Sequence, residues 1–168
     1  MSAAPLALYN PARGRDDEFV ANFIARRDVL KLLLNELRSQ GPAGESRHQI
    51  LVGARGMGKT TLLRRIAIAI GAQTALKTHF IPLRFREEQY NVISLDAFWR
   101  NCGEALAQYC EDNGKPGMAQ EIDLAIKTPG WRNAGTAAAA FLALCENAGG
   151  RAILLIDNID IILLDCRE

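Results

Sequence analysis

Between residues 29 and 37, the apolar positions Val29, Leu30, Leu33, Leu34 and Leu37 recur at helical spacing, with Asp28 at the start and Gly41-Pro42 beyond the end. This pattern predicts an amphipathic helix. Residues 48–52 (HQILV) form a compact apolar run that Gly53 breaks, and they predict a buried strand. Leu62, Leu63, Ile66, Ala67 and Ile70 then predict a helix stopping at Gly71. Residues 78–85 (THFIPLRF) alternate as a second strand, in which Pro82 points to an edge position.

Ser94 caps a further predicted helix, whose apolar positions are Leu95, Phe98, Cys102, Ala105, Leu106 and Tyr109. Residues 113–117 read as a turn, 118–126 as a short helix, and 136–147 as an alanine-rich helix after a break at 130–135. Residues 151–156 predict the last strand, ending at Asp157. The order of elements is that of an α/β fold with connections of crossover length, and hence a parallel sheet. The first residues, with Pro5, Pro11, Gly14 and mixed charge, show no periodicity. Residues 1–22 are expected to be a loosely ordered arm and 23–168 a single domain.

The length of 168 residues suits one core of ordinary size, and 49% apolar with 23% charged residues is a soluble globular profile. A net charge of +1 provides no overall basic field for nucleic acid. Four cysteines (102, 110, 145, 166) form no C-x-x-C pair, and His48 and His79 are not spaced to join them around zinc. Free thiols in a reducing cytosol are the expectation. No signal peptide opens the sequence, and the apolar stretch at 136–145 is far too short to cross a bilayer. A cytoplasmic protein without a membrane partner is therefore expected.

Candidate chemistry begins with GARGMGKTT, residues 53–61, which satisfies G-x-x-x-x-G-K-[ST] between a predicted strand and a predicted helix. Gly53 and Gly58 let the backbone turn tightly and approach an anion, since neither carries a Cβ. The N–H groups along Ala54, Arg55, Gly56, Met57 and Gly58 can then form a nest, continued by the positive end of the following helix through Thr61. Lys59 supplies a full charge for the β- and γ-phosphates, and Thr60 a hydroxyl for Mg²⁺.

The metal also needs a carboxylate from a neighbouring strand end. Residues 152–160 read AILLIDNID, an apolar run closing on Asp157. Ligands of open α/β sheets bind at the carboxyl ends of strands, which assigns Asp157 to Mg²⁺, through a water. Many P-loop ATPases place a Glu next, to polarise the attacking water. Asn158 stands there instead; it can orient a water but cannot take its proton. Asp160 is the best substitute base if a helical turn begins at this point, the alternative being a helix cap. Glu87 and Glu88 are a weaker alternative.

FIARRDVLKLLLNEL, ILVGARGMGKTTLLRRIA and ILLIDNID resemble the AAA+ and STAND superfamilies of P-loop ATPases, in their initiator-like and archaeal-ATPase-type branches. The resemblance implies a three-layer α/β P-loop NTPase sheet, with Walker A roles for Lys59 and Thr60 and the Walker B role for Asp157. Many relatives carry F-[VI]-G-R-E ahead of the phosphate loop, lying against the adenine. Phe23, Ile24 and Arg26 fit that box, while Ala25 and Arg27 replace its glycine and glutamate.

The resemblance further implies ATP and Mg²⁺ as ligands, with hydrolysis in many members that act as oligomers on a partner. Others are switches set by nucleotide state. A DNA partner is suggested by likeness alone. After the Walker B strand the family has a sensor strand, an arginine finger and a helical lid, and the sensor strand lies between the Walker A and Walker B strands. Since the sequence ends at Glu168, a fragment or truncated gene product is expected, the two alternatives being closure of the gap and a strand supplied by a partner. Three functional readings stand at this point: ATP–Mg²⁺ binding with hydrolysis in the full-length relative, a nucleotide switch with little turnover, and a small-molecule kinase.

Overall fold

The computed structural model describes residues 16–40, 47–85, 92 and 94–165. Helices α1 (Asp16–Asn22) and α2 (Arg27–Gln40) precede the glycine loop, which leads into α3 (Lys59–Ala72), a single turn α4 (Thr74–Lys77) and strand β1 (Phe80–Arg84). Helices α5 (Leu95–Asp112) and α6 (Pro116–Ala125), a 3-10 turn (Pro129–Arg132) and α7 (Ala134–Ala148) then carry the chain to β2 (Arg151–Leu155). Helix α8 (Ile159–Asp165) follows.

The strands pair in parallel, in register from Phe80 opposite Arg151 to Arg84 opposite Leu155. Their alternation divides the core. Ile81, Leu83 and Leu154 face the layer of α5, α6 and α7, where Leu106, Ile122, Trp131 and Phe141 are buried. Phe80, Ile153 and Leu155 face the opposite layer, where Phe19, Leu34, Leu62, Ile66 and Ile70 of the first helices are packed. The arrangement is thus helix, sheet, helix.

Helix ends follow local chemistry. The Ser94 hydroxyl accepts from the Ala97 N–H at 3.4 Å, the expected cap of α5. The Asn133 carboxamide oxygen accepts from Gly135 N and Thr136 N at 3.0 and 3.2 Å, opening α7. Inside α5, Gly103 permits a close approach: a Cβ there would lie 2.5 Å from Ile126 Cγ2 and 3.3 Å from the Trp131 ring. The Ile126 methyl, with the indole of Trp131 beside it, occupies the space that a side chain would otherwise fill.

Cys102, Cys110 and Cys145 are free and buried, as packing groups between α5 and α7. Burial, reinforced by the neighbouring Cys145, pushes the Cys102 thiol far up, and burial pushes that of Cys145 up to about 12. Both stay protonated at neutral pH, as inert packing thiols rather than activated nucleophiles. Cys166 lies outside the described residues.

The structure departs from expectation in two places. Residues 48–52 are not a strand; among the described residues the sheet consists of β1 and β2 alone, so the three-layer sheet has a centre of only two strands. Leu51 packs against the first helical layer while Ile50 and Val52, its neighbours, are 78% and 88% exposed. The cause is the absence of a paired backbone: an apolar run becomes a strand only beside another edge, and β2 does not come alongside. The gap anticipated between the two segments does not close.

The second departure is in the arm. Asp16–Asn22 forms a helix, with Asp16, Asp17 and Glu18 in its first turn and Phe19 buried. Asp16 meets Arg64 of α3 at 2.8 Å, and that guanidinium lies 4.3 Å from the centre of the Phe19 ring. These contacts hold a helix too short to persist on its own. Helix α8 begins at Ile159, which supplies the helical turn on which the reading of Asp160 was conditional. No helix among the described residues is long and apolar enough to cross a membrane.

Candidate functional site

The loop of residues 53–60 connects the extended segment to α3. Gly56 and Gly58 have φ of 81° and 76°, in the left-handed region, where a Cβ would be strained. Gly58 caps α3 without any side-chain hydrogen bond to the helix end, and the first intrahelical bond runs from Leu62 N to Gly58 O at 3.0 Å. The N–H groups of Lys59, Thr60 and Thr61 therefore precede the helical ladder, at the positive end of a helix that runs to Ala72. An anion can collect several of these donors at once.

Lys59 folds back over the loop. Its ammonium donates to Gly53 O at 2.7 Å and to Ala54 O at 3.1 Å, closing a ring around the loop backbone. Thr60 in the first turn of α3 donates its hydroxyl to Asp157 Oδ2, joining the loop to the carboxyl end of β2. The other oxygen of Asp157 accepts from Asn158 N at 3.1 Å. Of the candidate metal-binding groups, Thr60 and Asp157 are the pair that the fold brings into contact. Both offer hard oxygen donors, which suits Mg²⁺.

Asn158 takes φ of 52°, and this left-handed residue turns the chain from β2 into α8. Asp160 sits exposed in the first turn of α8. Glu87 and Glu88 lie outside the described residues.

Beside the loop is a cavity of about 100 Å³ whose lining includes Phe19, Asn22, Phe23, Ile24, Arg26, Met57 and Thr61. Ile24 and Arg26, placed near a nucleotide by resemblance, do border it; Ile24 is 76% exposed. Phe19 and Asn22 were absent from the sequence-based candidates. Phe19 and Phe23, spaced i, i+4 after a run of acidic residues, were the available signal. Arg55, in contrast, is exposed on the loop.

A family model for the AAA ATPase domain matches residues 22–165. The chain belongs to that family. Searches of curated proteins and of solved structures match nothing. As an AAA ATPase domain the chain is of nucleotide-binding, ATPase type, and its α/β layers are those of a P-loop NTPase. The matched span begins at Asn22 and ends at Asp165, so it takes in the glycine loop, the Thr60–Asp157 contact and most of the cavity lining.

Proposed function

We propose that this AAA ATPase domain binds ATP with Mg²⁺ at the loop of residues 53–60. The observation that carries the reading is the Thr60–Asp157 contact, which places a hydroxyl and a carboxylate together at the open end of α3. Loop N–H groups and Lys59 bind the phosphates, Thr60 and Asp157 hold Mg²⁺, and the adjoining cavity receives the rest of the nucleotide. When bound, Mg²⁺ neutralises phosphate charge and fixes the geometry of the β- and γ-oxygens.

Saturating ATP–Mg²⁺ tests the reading. Ligand at about 100 times its Kd adds roughly 2.7 kcal/mol. The melting temperature is expected to rise by about 5–11 °C for a domain of this size. An unchanged melt in a folded sample would refute nucleotide binding.

A second reading, a nucleotide-set switch with little turnover, is favoured by Asn158. Its carboxamide takes the position after Asp157 and cannot accept a proton from water. Steady turnover of the chain alone is expected far below about 1 s⁻¹, the lower end of ordinary phosphoryl-transfer enzymes. Any residual rate should fall further in Asp160→Asn. Turnover near that figure by purified monomer would reject the switch reading and restore hydrolysis as the chain's own activity.

A further inference from the structure

We propose that Arg26 binds the polyphosphate of the nucleotide rather than its base. The inference rests on the nucleotide-binding reading above and specifies which part of the ligand this side chain meets. Resemblance places the residue in a segment lying against adenine; the geometry points elsewhere.

Arg26 Nη2 lies 3.4 Å from the position that a Cβ on Gly53 would occupy. The guanidinium therefore rests on the first glycine of the loop. The carbonyl of that same glycine accepts the Lys59 ammonium at 2.7 Å. Two cations thus address one residue, and standard bond lengths put their head groups at most about 10 Å apart. Lys59 is the residue that marks the β- and γ-phosphates in loops of this pattern. A guanidinium at the first glycine of the loop is therefore within the span of a polyphosphate bound at Lys59.

Among the described residues the charge of Arg26 has no ion-pair partner. The ion pairs of the described residues are Arg47–Glu36, Arg64–Asp16 and Arg100–Asp96, and Arg26 belongs to none of them. Its neighbour Arg27 is engaged through Nε with the Phe23 carbonyl at 3.1 Å. The cavity walls that Phe19, Phe23 and Met57 provide are apolar and suit a base, while Arg26 supplies positive charge at the loop end. A planar fork of N–H donors matches phosphate oxygens in pairs, which an ammonium does not.

The backbone is also unusual. Arg26 has φ of 58°, and its carbonyl accepts from Leu30 N at 3.0 Å, at the entry to α2. A left-handed arginine is uncommon, and here its side chain, together with that of Met57, reaches Gly53. If the guanidinium meets phosphate, the contribution of Arg26 must grow with the number of phosphate charges on the ligand. If it meets adenine or ribose, the contribution must be the same for every adenine nucleotide.

Calorimetric titration of the full chain with ATP, ADP, AMP and GTP, all with Mg²⁺, separates the two. The neutral variant is Arg26→Asn, because Asn is the side chain most at home in left-handed backbone and leaves the turn undisturbed. Arg26→Asn is expected to weaken ATP by about 10- to 100-fold, the loss of one or two charged hydrogen bonds. ADP should weaken less and AMP hardly at all. Arg26→Lys keeps the charge without the fork and is expected to recover part of the preference for triphosphate, even should the neutral variant melt early. Equal losses for ATP and AMP, a changed ratio of ATP to GTP with phosphate dependence intact, or no change at all would overturn the proposal. Failure of the wild-type chain to bind any nucleotide would overturn the functional reading itself, and this inference with it.

Discussion

Lys59→Ala is expected to remove nearly all of the melting rise that ATP–Mg²⁺ confers, taking a shift of about 5–11 °C to below about 2 °C. The ammonium is the one full charge on the ring of contacts that closes the loop, through Gly53 O and Ala54 O. Without ligand those hydrogen bonds are partly exposed, so the variant should lose only about 0.5–1.5 kcal/mol of stability. With ligand the loss is larger, because the charge acts on phosphate in a site that the helix end and loop N–H groups already bias toward anions. Differential scanning fluorimetry with and without ATP–Mg²⁺ reads both quantities. A variant that keeps the wild-type shift would show that Lys59 is a structural strut of the loop and the phosphates bind elsewhere.

The chain is expected to self-associate as its concentration rises. Ile50 and Val52 stand 78% and 88% exposed beside the glycine loop, and β2 is hydrogen-bonded to β1 alone among the described residues. From Arg151 to Leu154, β2 is only half-buried. An open strand edge next to apolar side chains recruits another chain. Burial of each large side chain contributes roughly 1.5–3 kcal/mol, a sizeable share of a whole-domain stability of about 5–15 kcal/mol. Light scattering over a range of concentrations should give a rising mass, and the double variant Ile50→Lys, Val52→Lys should restore the monomer. A wild-type chain of constant monomeric mass would mean that this surface is inert.

Periodicity revealed most of the helices because their stability comes from one buried face. Leu30, Leu33 and Leu34 of α2, and Leu62, Ile66 and Ile70 of α3, are buried at the spacing that the sequence shows. The cap at Ser94 was equally legible, since it depends on residues next to one another. Residues 48–52 were misread for the opposite reason. A strand is defined by the edge beside it, and HQILV carries no record of whether that edge is in place. Helix α1 was missed because its support is distant: Arg64, far along the sequence, covers Phe19 and pairs with Asp16. At the site, the pattern of residues 53–60 and the apolar run before Asp157 were legible because each is contiguous in the sequence. The left-handed backbone of Arg26 and the position of its guanidinium over Gly53 could not be foretold, because both depend on how α2 meets the loop.

The left-handed turn at Asn158 also limits what this position can become. Asn and Gly enter such a backbone readily, whereas a residue with a longer side chain does so at a cost of about 1 kcal/mol or more. The Glu found there in many P-loop ATPases is separated from Asn by more than a change of side chain. A single substitution would place the carboxylate on a backbone bent for a different residue, with α8 starting at the very next position. Gain of a strong general base at residue 158 therefore requires the β2–α8 corner to be rebuilt as well. That couples two changes, and leaves Asn158 as a local resting point from which a carboxylate at this position is hard to reach one mutation at a time.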